Sequence, residues 1–255
     1  MTINQAFDLL KDAGGIRAAR IITDNVKYLP WWRVKIFAYK LRHGMPIAKI
    51  IHQKWFYGLP FYTNSKTLDP RPDTETLVTA VITDNPQKPR ILDLGTGTGC
   101  IIAAIIKNIY GASGIGIDFS HAALRVANRN IKTLNLTDKI KIIHGSFANK
   151  HLTNEKFDVI VSNPPYIAYG DMRLNDGAKH DPKCALYAKN DGLWAYEQIA
   201  QNAKNWIKKS GRIYLEIGVG QKAAVQKIFK FAGWKLERAE KDLSGIIRVL
   251  VFTTL

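Results

Sequence analysis

The sequence predicts an α/β fold: a seven-stranded, mostly parallel, Rossmann-like sheet preceded by a small helical domain and a β-hairpin. From Arg90 onward, short apolar runs rich in β-branched residues alternate with helical patterns, which is typical of βαβ units. The last two predicted strands, 234–240 and 246–252, have no helix between them and should form an antiparallel hairpin. We therefore expect a helical domain at 1–52, a hairpin linker at 53–66 and an α/β domain at 67–255.

Bulk composition excludes several classes of protein. The chain has 255 residues, 46% of them hydrophobic, and no apolar run approaches the ~20 residues that span a bilayer. The first residues carry no basic segment followed by an apolar stretch, so no secretory signal is expected. The two cysteines form no CxxC pair and the six histidines are scattered without metal-ligand spacing. We expect a cytoplasmic monomer with no membrane partner and no metal.

The positive charge is concentrated near the start of the chain. Residues 1–66 contain eleven Lys/Arg and three Asp/Glu, a net of +8, which is half of the total of +16. A basic surface of this kind indicates an acidic partner, either nucleic acid or an acidic protein. A lysine-rich composition that only aids solubility explains the same count, and no Lys/Arg block is dense enough to indicate nucleic acid by itself.

The first 66 residues predict helices followed by a hairpin. Apolar residues recur at helical spacing in 6–13 and 34–41, and Gly14-Gly15 should break the first pattern. Trp31-Trp32 opens the second helix, and we interpret the pair as core of the small domain. Residues 54–63 have aromatic arms around Gly58-Leu59-Pro60, which predicts a hairpin with its turn at these three residues.

A proline-rich segment precedes the α/β domain. Leu68 to Glu75 reads Leu-Asp-Pro-Arg-Pro-Asp-Thr-Glu, and Pro72 followed by acids is a typical helix start. The segment is interpreted either as an interdomain linker with a helix cap or as a lip that faces a substrate, because loops often carry function. The sequence does not favour one of these over the other.

A glycine turn between the first strand and helix of the α/β domain predicts a nucleotide-like ligand. Asp118 ends the next strand, where its carboxylate could accept hydrogen bonds from both hydroxyls of a ribose. Cys100 stands where a dinucleotide fingerprint needs its third glycine, and no Gly-Lys-Ser/Thr follows, so the pattern favours an adenosyl ligand with an amino-acid tail, S-adenosylmethionine. Phe147, after the third strand, could pack on the adenine or belong to the core. The turn itself is Gly95, Thr96, Gly97, Thr98 and Gly99.

The sequence Asn163-Pro164-Pro165-Tyr166 directly follows a predicted strand at 157–161. The two prolines stiffen the strand's carboxyl end, where open α/β sheets bind ligands. The Asn163 side-chain oxygen and the Pro164 carbonyl form a rigid pair of acceptors that suits a planar NH2 group. Tyr166 offers a ring face for a flat, conjugated group. A proline-terminated loop without function is the simpler alternative.

With these motifs the chain resembles the release factor glutamine methyltransferases. The resemblance implies a class I S-adenosylmethionine-dependent fold, with S-adenosylmethionine as cofactor and peptide chain release factors as partners. It further implies methylation of the glutamine amide nitrogen in a Gly-Gly-Gln loop, docking by the helical domain, and substrate contacts from Arg71 and Glu75. Asp69 departs from the family, which usually has isoleucine there. The segments that carry the resemblance are 68–75, 92–99, 161–167, 185–186, 191–193 and 216–218, together with the single residues Gln221, Asp242, Gly245 and Arg248.

Two alternatives come from other functional classes. An adenine methyltransferase for DNA or RNA would use the same Asn-Pro-Pro-Tyr turn on an aniline-like NH2, and the charge of +16 favours it. Against it, the sequence shows no clear target-recognition domain for a flipped base, so no stable nucleic-acid complex is expected. A non-catalytic binding protein could share this fold, although every motif position that matters is intact. No side chain stands out as a general base.

Overall fold

A computed structural model describes residues 2–84, 86–171 and 176–255 of the chain, without the side chains of residues 176 and 177. The sequence predicts a long irregular insert at 167–191, and four residues of it, 172–175, lie outside the described residues. In the described ranges no helix combines the length and apolarity that crossing a membrane requires. The α-helices are α1 (Ile3–Asn25), α2 (Trp31–Arg42), α3 (Ile47–Ile51), α4 (Glu75–Thr83), α5 (Cys100–Asn108), α6 (His121–Thr133), α7 (Trp194–Asn202) and α8 (Lys222–Phe231).

The strands form one large sheet and two small two-stranded pairs. The small pairs are β1–β2, which is antiparallel, and β7–β8, which is parallel. Short 3-10 helices occupy Pro72–Thr74, Asp176–His180, Lys183–Ala185 and Ala203–Asn205. The strands are β1 (Gln53–Phe56), β2 (Leu59–Tyr62), β3 (Arg90–Leu94), β4 (Ser113–Asp118), β5 (Ile140–His144), β6 (Phe157–Ser162), β7 (Ile167–Ala168), β8 (Tyr187–Ala188), β9 (Ile207–Glu216), β10 (Trp234–Lys241) and β11 (Ile247–Thr254).

The large sheet has the order β10-β11-β9-β6-β3-β4-β5. Strands β5, β4, β3, β6 and β9 pair in parallel, and β11 pairs antiparallel with both β9 and β10. The predicted seven strands and terminal hairpin are confirmed. Successive connections run outward in opposite directions from β3 and β6, so the gap between these two strands is the topological switch point where such sheets bind ligands.

Two apolar cores cover the two faces of this sheet. One contains Ile91 of β3 together with apolar residues of α4, α5 and α6. The other contains Leu92 of β3 together with apolar residues of α7 and α8. Adjacent residues of one strand enter opposite cores because side chains alternate across a pleated strand. This explains why the central strands read as unbroken apolar runs in the sequence.

Helices α1, α2 and α3 share an apolar cluster of their own, which includes Leu10, Ile22 and Phe37. The predicted break at Gly14-Gly15 appears as a kink inside α1, where Gly15 has φ of 84°. The interpretation of Trp31 and Trp32 as core is wrong, since they are 58% and 52% exposed. The buried face of α2 is instead formed by Val34, Phe37 and Ala38.

The hairpin differs from prediction at its turn. Leu59 and Pro60 belong to β2, and the connection is the two-residue loop Tyr57-Gly58. Both loop residues have positive φ (49° and 72°), as the tight turns that match strand twist require. Phe56 and Phe61 are buried in one of the two cores of the sheet. The hairpin is therefore packed onto the α/β domain.

A second difference lies at residues 203–211, since the sequence pattern predicts a helix over 193–207 followed by a strand over 212–217. Helix α7 ends at Asn202 and Ile207 begins β9, with Ile207 paired to Phe157. The apolar spacing of this segment, Ile199, Ala203 and Ile207, fits a helix. Pairing with β6 overrides it, because the Phe157 amide donates to the Trp206 carbonyl at 2.8 Å. The apolar spacing of residues 199–207 is compatible with either a helix or a strand, and pairing with β6 determines which of the two forms.

Candidate active site

A cavity of about 560 Å³ opens at the switch point, at the carboxyl ends of β3, β4 and β6. The glycine turn follows β3 and Asn163 follows β6, and these strands are hydrogen-bonded neighbours. The structure thus brings the two predicted motifs to one site. Residues from five further segments complete the walls: 66–74, 118–123, 146–147, 182–189 and Trp194.

The glycine turn is held tightly against β4. Gly95, Gly97 and Gly99 have φ of 73°, 56° and 78°, a backbone conformation that favours glycine. The amides of Gly95 and Thr96 both donate to the Ile117 carbonyl, at 2.9 and 2.8 Å. A Cβ on Gly95 would meet no protein atom within 4 Å, so the space beside it is open to a ligand.

Asp118 lies beside this turn and lines the cavity. Its Oδ2 accepts a hydrogen bond from the Gly97 amide at 3.0 Å, and its Oδ1 accepts one from the Ser120 amide at 2.9 Å. Each carboxylate oxygen can accept a second bond, so the pair remains able to receive two ligand hydroxyls. Burial raises the pKa of Asp118, while the two backbone amides oppose that rise.

Asp93 supports the glycine turn from beneath, a role that sequence reasoning did not anticipate. It is fully buried under the turn, where Oδ2 accepts from the Thr96 hydroxyl at 2.6 Å and Oδ1 lacks a hydrogen-bond partner among the described residues. Burial raises its pKa to about 7. Two acids at one glycine turn suit a cationic ligand and disfavour a phosphate. The only signal in the sequence was an acid inside an otherwise apolar strand.

Aromatic side chains surround the cavity. Phe147 lines it, yet is only 9% exposed and packs against Trp194 at 5.9 Å, so it belongs to both core and cavity wall. Phe119, directly after Asp118, is 53% exposed and was missed. Tyr169 and Tyr187, stacked at 5.4 Å, were missed because they lie in the irregular insert. Flat surfaces of this kind suit a conjugated ligand.

Asn163 reaches the cavity with a fixed orientation. Its Nδ2 donates to the Thr74 hydroxyl oxygen at 3.0 Å, and the side-chain oxygen has no hydrogen-bond donor among the described residues. Thr74 and Pro165 line the same cavity, whereas Pro164 is buried beside it. The acceptor role of the Pro164 carbonyl remains a prediction.

Tyr166 is placed differently from the predicted stacking platform. Its carbonyl accepts from Gln221 Nε2 at 2.9 Å, and its ring packs so closely on Gly218 that a Cβ there would lie 3.0 Å from the ring. Burial raises the pKa of Tyr166 to about 12, so the phenol stays neutral. The cavity wall is formed by Tyr169 and Tyr187 rather than by Tyr166.

The two predicted substrate contacts of the proline-rich segment, Arg71 and Glu75, face different cavities. Arg71 lines the cavity and pairs with Asp181 at 2.6 Å. Glu75 faces a second cavity and accepts from the Tyr57 amide at 2.8 Å, which fixes the hairpin turn. Substrate binding by either residue remains a prediction.

A buried ion cluster joins the N-terminal helices to this wall. Lys49 is 4% exposed and its Nζ lies 2.7 Å from Asp69 and 2.9 Å from Asp181. It also donates to the carbonyls of Asn64 and Thr67, both at 2.6 Å. The departure at Asp69 is thereby explained as the partner of a buried lysine. In the described part of the chain, no group of three His, Cys, Asp or Glu residues could hold a metal ion.

Similarity to known proteins gives the family of the chain. Residues 87–241 match the family described as Methyltransferase domain. The bifunctional methyltransferase of Rickettsia felis is 38% identical over 251 residues, which cover 86% of this chain and 47% of the relative, so the chain spans about half the length of that protein. A structure of a methyltransferase from Pyrococcus furiosus shares the fold, with a TM-score of 0.59, 18% identity and coverage of 81% of this chain and 91% of that one.

A second relative matches along most of its length. The release factor glutamine methyltransferase of Bradyrhizobium diazoefficiens is 36% identical over 242 residues, which cover 92% of this chain and 80% of the relative. The chain therefore belongs to the release factor glutamine methyltransferase family.

Proposed function

We propose that the protein transfers a methyl group from S-adenosylmethionine to the side-chain amide nitrogen of the glutamine in the Gly-Gly-Gln motif of peptide chain release factors. One observation carries the proposal: beside the glycine turn, the Asn163 amide nitrogen is held on Thr74, while its oxygen has no donor among the described residues. A free, rigid acceptor at that place selects a target with N–H donors.

The residues of the turn fit S-adenosylmethionine. Residues 95–99 would approach its amino-acid tail closely, Asp118 would accept from the ribose hydroxyls, and Phe147 would contact the adenine. Asp93 and Asp118 together favour its positive charge. When bound, S-adenosylmethionine supplies a methyl group on a sulfonium, which is a strong electrophile.

The protein's contribution is to present the target nitrogen. An amide nitrogen is a poor nucleophile because its lone pair is delocalised into the carbonyl. Asn163 Oδ1 and the Pro164 carbonyl accept from its two N–H groups, which orients the nitrogen and favours a more pyramidal geometry. Such positioning can supply about 7–11 kcal/mol of the barrier. A general base is not needed before transfer, because the cationic product loses its proton readily.

Docking of the protein substrate is assigned to residues 1–52. Residues 25–68 contain eight Lys/Arg and no Asp/Glu. On this stretch α2 exposes Trp31, Trp32 and Tyr39 between its basic side chains. Exposed aromatic and basic residues together are typical of binding surfaces, and an acidic protein surface complements them.

Radiolabelled methyl transfer to purified release factor, in parallel with DNA and RNA, tests the proposal. Label in the release factor alone would support it. Label in nucleic acid, with none in the release factor, would establish the adenine methyltransferase alternative instead.

A further inference from the structure

A buried carboxylate lies behind Asn163 and has no part in the chemistry described so far. Glu216 ends β9, and because Ser162 pairs with Leu215, Glu216 lies next to Asn163 at the edge of the sheet. Its side chain is 1% exposed, and Oε2 has no hydrogen-bond partner among the described residues. The Thr74 hydroxyl and the Asn163 side chain both hydrogen-bond the carboxyl group.

We infer that Glu216 is a positioning residue which, by accepting from Asn163 Nδ2 directly and by acting through the Thr74 hydroxyl, holds the Asn163 amide with its oxygen toward the target NH2. This inference rests on the proposed function for its target, while the hydrogen-bonded chain itself is a property of the free protein. Thr74 belongs to the Pro-Arg-Pro-Asp-Thr-Glu segment, so the inference also gives that segment a defined task beside the site.

The direction of the hydrogen bonds follows from what each group can donate. An ionised carboxylate only accepts, so the Thr74 hydroxyl must donate its proton to Glu216. The Thr74 oxygen is then left to accept from Asn163 Nδ2, at 3.0 Å. A protonated Glu216 could instead donate to Thr74 and turn the hydroxyl proton toward Asn163. That reversal favours the flipped amide, which would present an NH2 group to an NH2 target and could not accept from it.

The surroundings of Glu216 bring the change between its ionised and protonated forms close to neutral pH. Burial is the largest cause that raises its pKa to about 7, Asp73 adds to the rise and Arg248 opposes it. Arg248 is itself paired with Asp73 at 2.7 Å and with Asp242 at 2.9 Å. Burial also raises the pKa of each neighbouring tyrosine and thiol, which stay neutral in this range. The titratable groups that face Glu216 are Asp73, Arg248, Tyr166, Tyr196 and Cys100.

The first test measures kcat against pH with purified release factor and the full-length chain. In wild type, kcat should rise with pH through about 7, because the ionised form is the one that orients Asn163. Thr74→Val removes one of the two links between Glu216 and Asn163 and should lower kcat about 10- to 100-fold with little change in cofactor affinity, and Thr74→Ser should restore it. Glu216→Gln keeps an acceptor but cannot ionise, so the rise near pH 7 should disappear.

The possible outcomes distinguish Glu216 from other causes of a pH-dependent kcat. Asp93 also has a pKa of about 7, so the pH dependence of cofactor binding is measured alongside, and Glu216→Gln should leave it unchanged. Wild-type kcat in Thr74→Val, or an unchanged pH rise in Glu216→Gln, would overturn the inference. If wild type does not methylate release factor at all, the proposed function fails instead.

A second readout needs no activity. Carbon-13 NMR of the glutamate carboxyl groups in the free protein should show one signal that titrates with a midpoint near pH 7. That signal should be absent in Glu216→Gln. In Thr74→Val its midpoint should move to higher pH, because a hydrogen bond that favours the ionised form is lost. A Glu216 signal that titrates near its ordinary pKa, or one that Thr74→Val does not move, would overturn the inference.

Discussion

The buried ion cluster around Lys49 offers a stability prediction that can be worked from the structure. Lys49→Met removes the ammonium group that faces Asp69 and Asp181 and that donates to two backbone carbonyls. Methionine fills much of the same volume, so the change removes charge and hydrogen bonds with little change in packing. Asp181 keeps its second partner, Arg71, at 2.6 Å. Asp69 is the carboxylate that is left buried without a cation.

Breaking a buried ion pair by removing one partner costs about 3–5 kcal/mol. A buried carboxylate that has lost its cation can take up a proton instead of staying charged. At pH 7 this costs about 4 kcal/mol for a carboxyl of ordinary pKa, so the electrostatic part of the loss in stability cannot exceed about 4 kcal/mol. The free energy of unfolding should therefore fall by about 3–5 kcal/mol. Changing Asp69 to isoleucine, the usual residue of the family, removes the stranded charge. The double variant Lys49→Met/Asp69→Ile should thus be more stable than Lys49→Met alone.

Urea unfolding followed by circular dichroism measures these differences, with the exposed Lys27→Met as a matched control that should change stability by less than about 0.5 kcal/mol. A loss below about 1 kcal/mol in Lys49→Met would refute the reasoning. So would a double variant no more stable than Lys49→Met, because the cost would then come from packing rather than from the stranded carboxylate.

Three further predictions concern binding and turnover. Asn163→Ala should leave cofactor affinity nearly intact by calorimetry but lower methyl transfer about 10²–10³-fold, the usual cost of one preorganised site dipole; near wild-type turnover would exclude the positioning role. Asp118→Ala should weaken S-adenosylmethionine binding by at most about 1.5–3 kcal/mol for each lost hydrogen bond, and an unchanged affinity would remove Asp118 from the cofactor site. Association with release factor should slow as salt rises while cofactor affinity barely changes; a salt-independent on-rate would assign the basic residues of 1–66 to solubility alone.

Much of the α/β fold was predictable because its signals are local. The central strands are buried on both faces, so apolar runs mark them directly, and β6, predicted at 157–161, extends only one residue further, over Phe157–Ser162. The glycine turn and Asn163 were predictable as one site because parallel strands end at the same edge of a sheet. The turn of the hairpin and the start of β9 were not, since in both places pairing with another strand overrides local spacing.

The parts of the site that could not be predicted depend on contacts between distant residues. Thr74 and Asn163 are 89 positions apart, and Lys49 and Asp181 are farther apart still. No periodicity links such pairs, so their roles become visible only when the fold brings them together. Asp69 was visible in the sequence as a departure from the family pattern, but its partner Lys49 was not.

The central claim is that Asn163 directs methyl transfer onto one amide nitrogen. Its most direct test is mass mapping of release factor treated with the wild-type enzyme and with Asn163→Ala. We expect a single added methyl group on the side-chain nitrogen of the Gly-Gly-Gln glutamine with wild type, and nearly none with Asn163→Ala. Methylation at another residue, or equal methylation of that glutamine by both enzymes, would contradict the account.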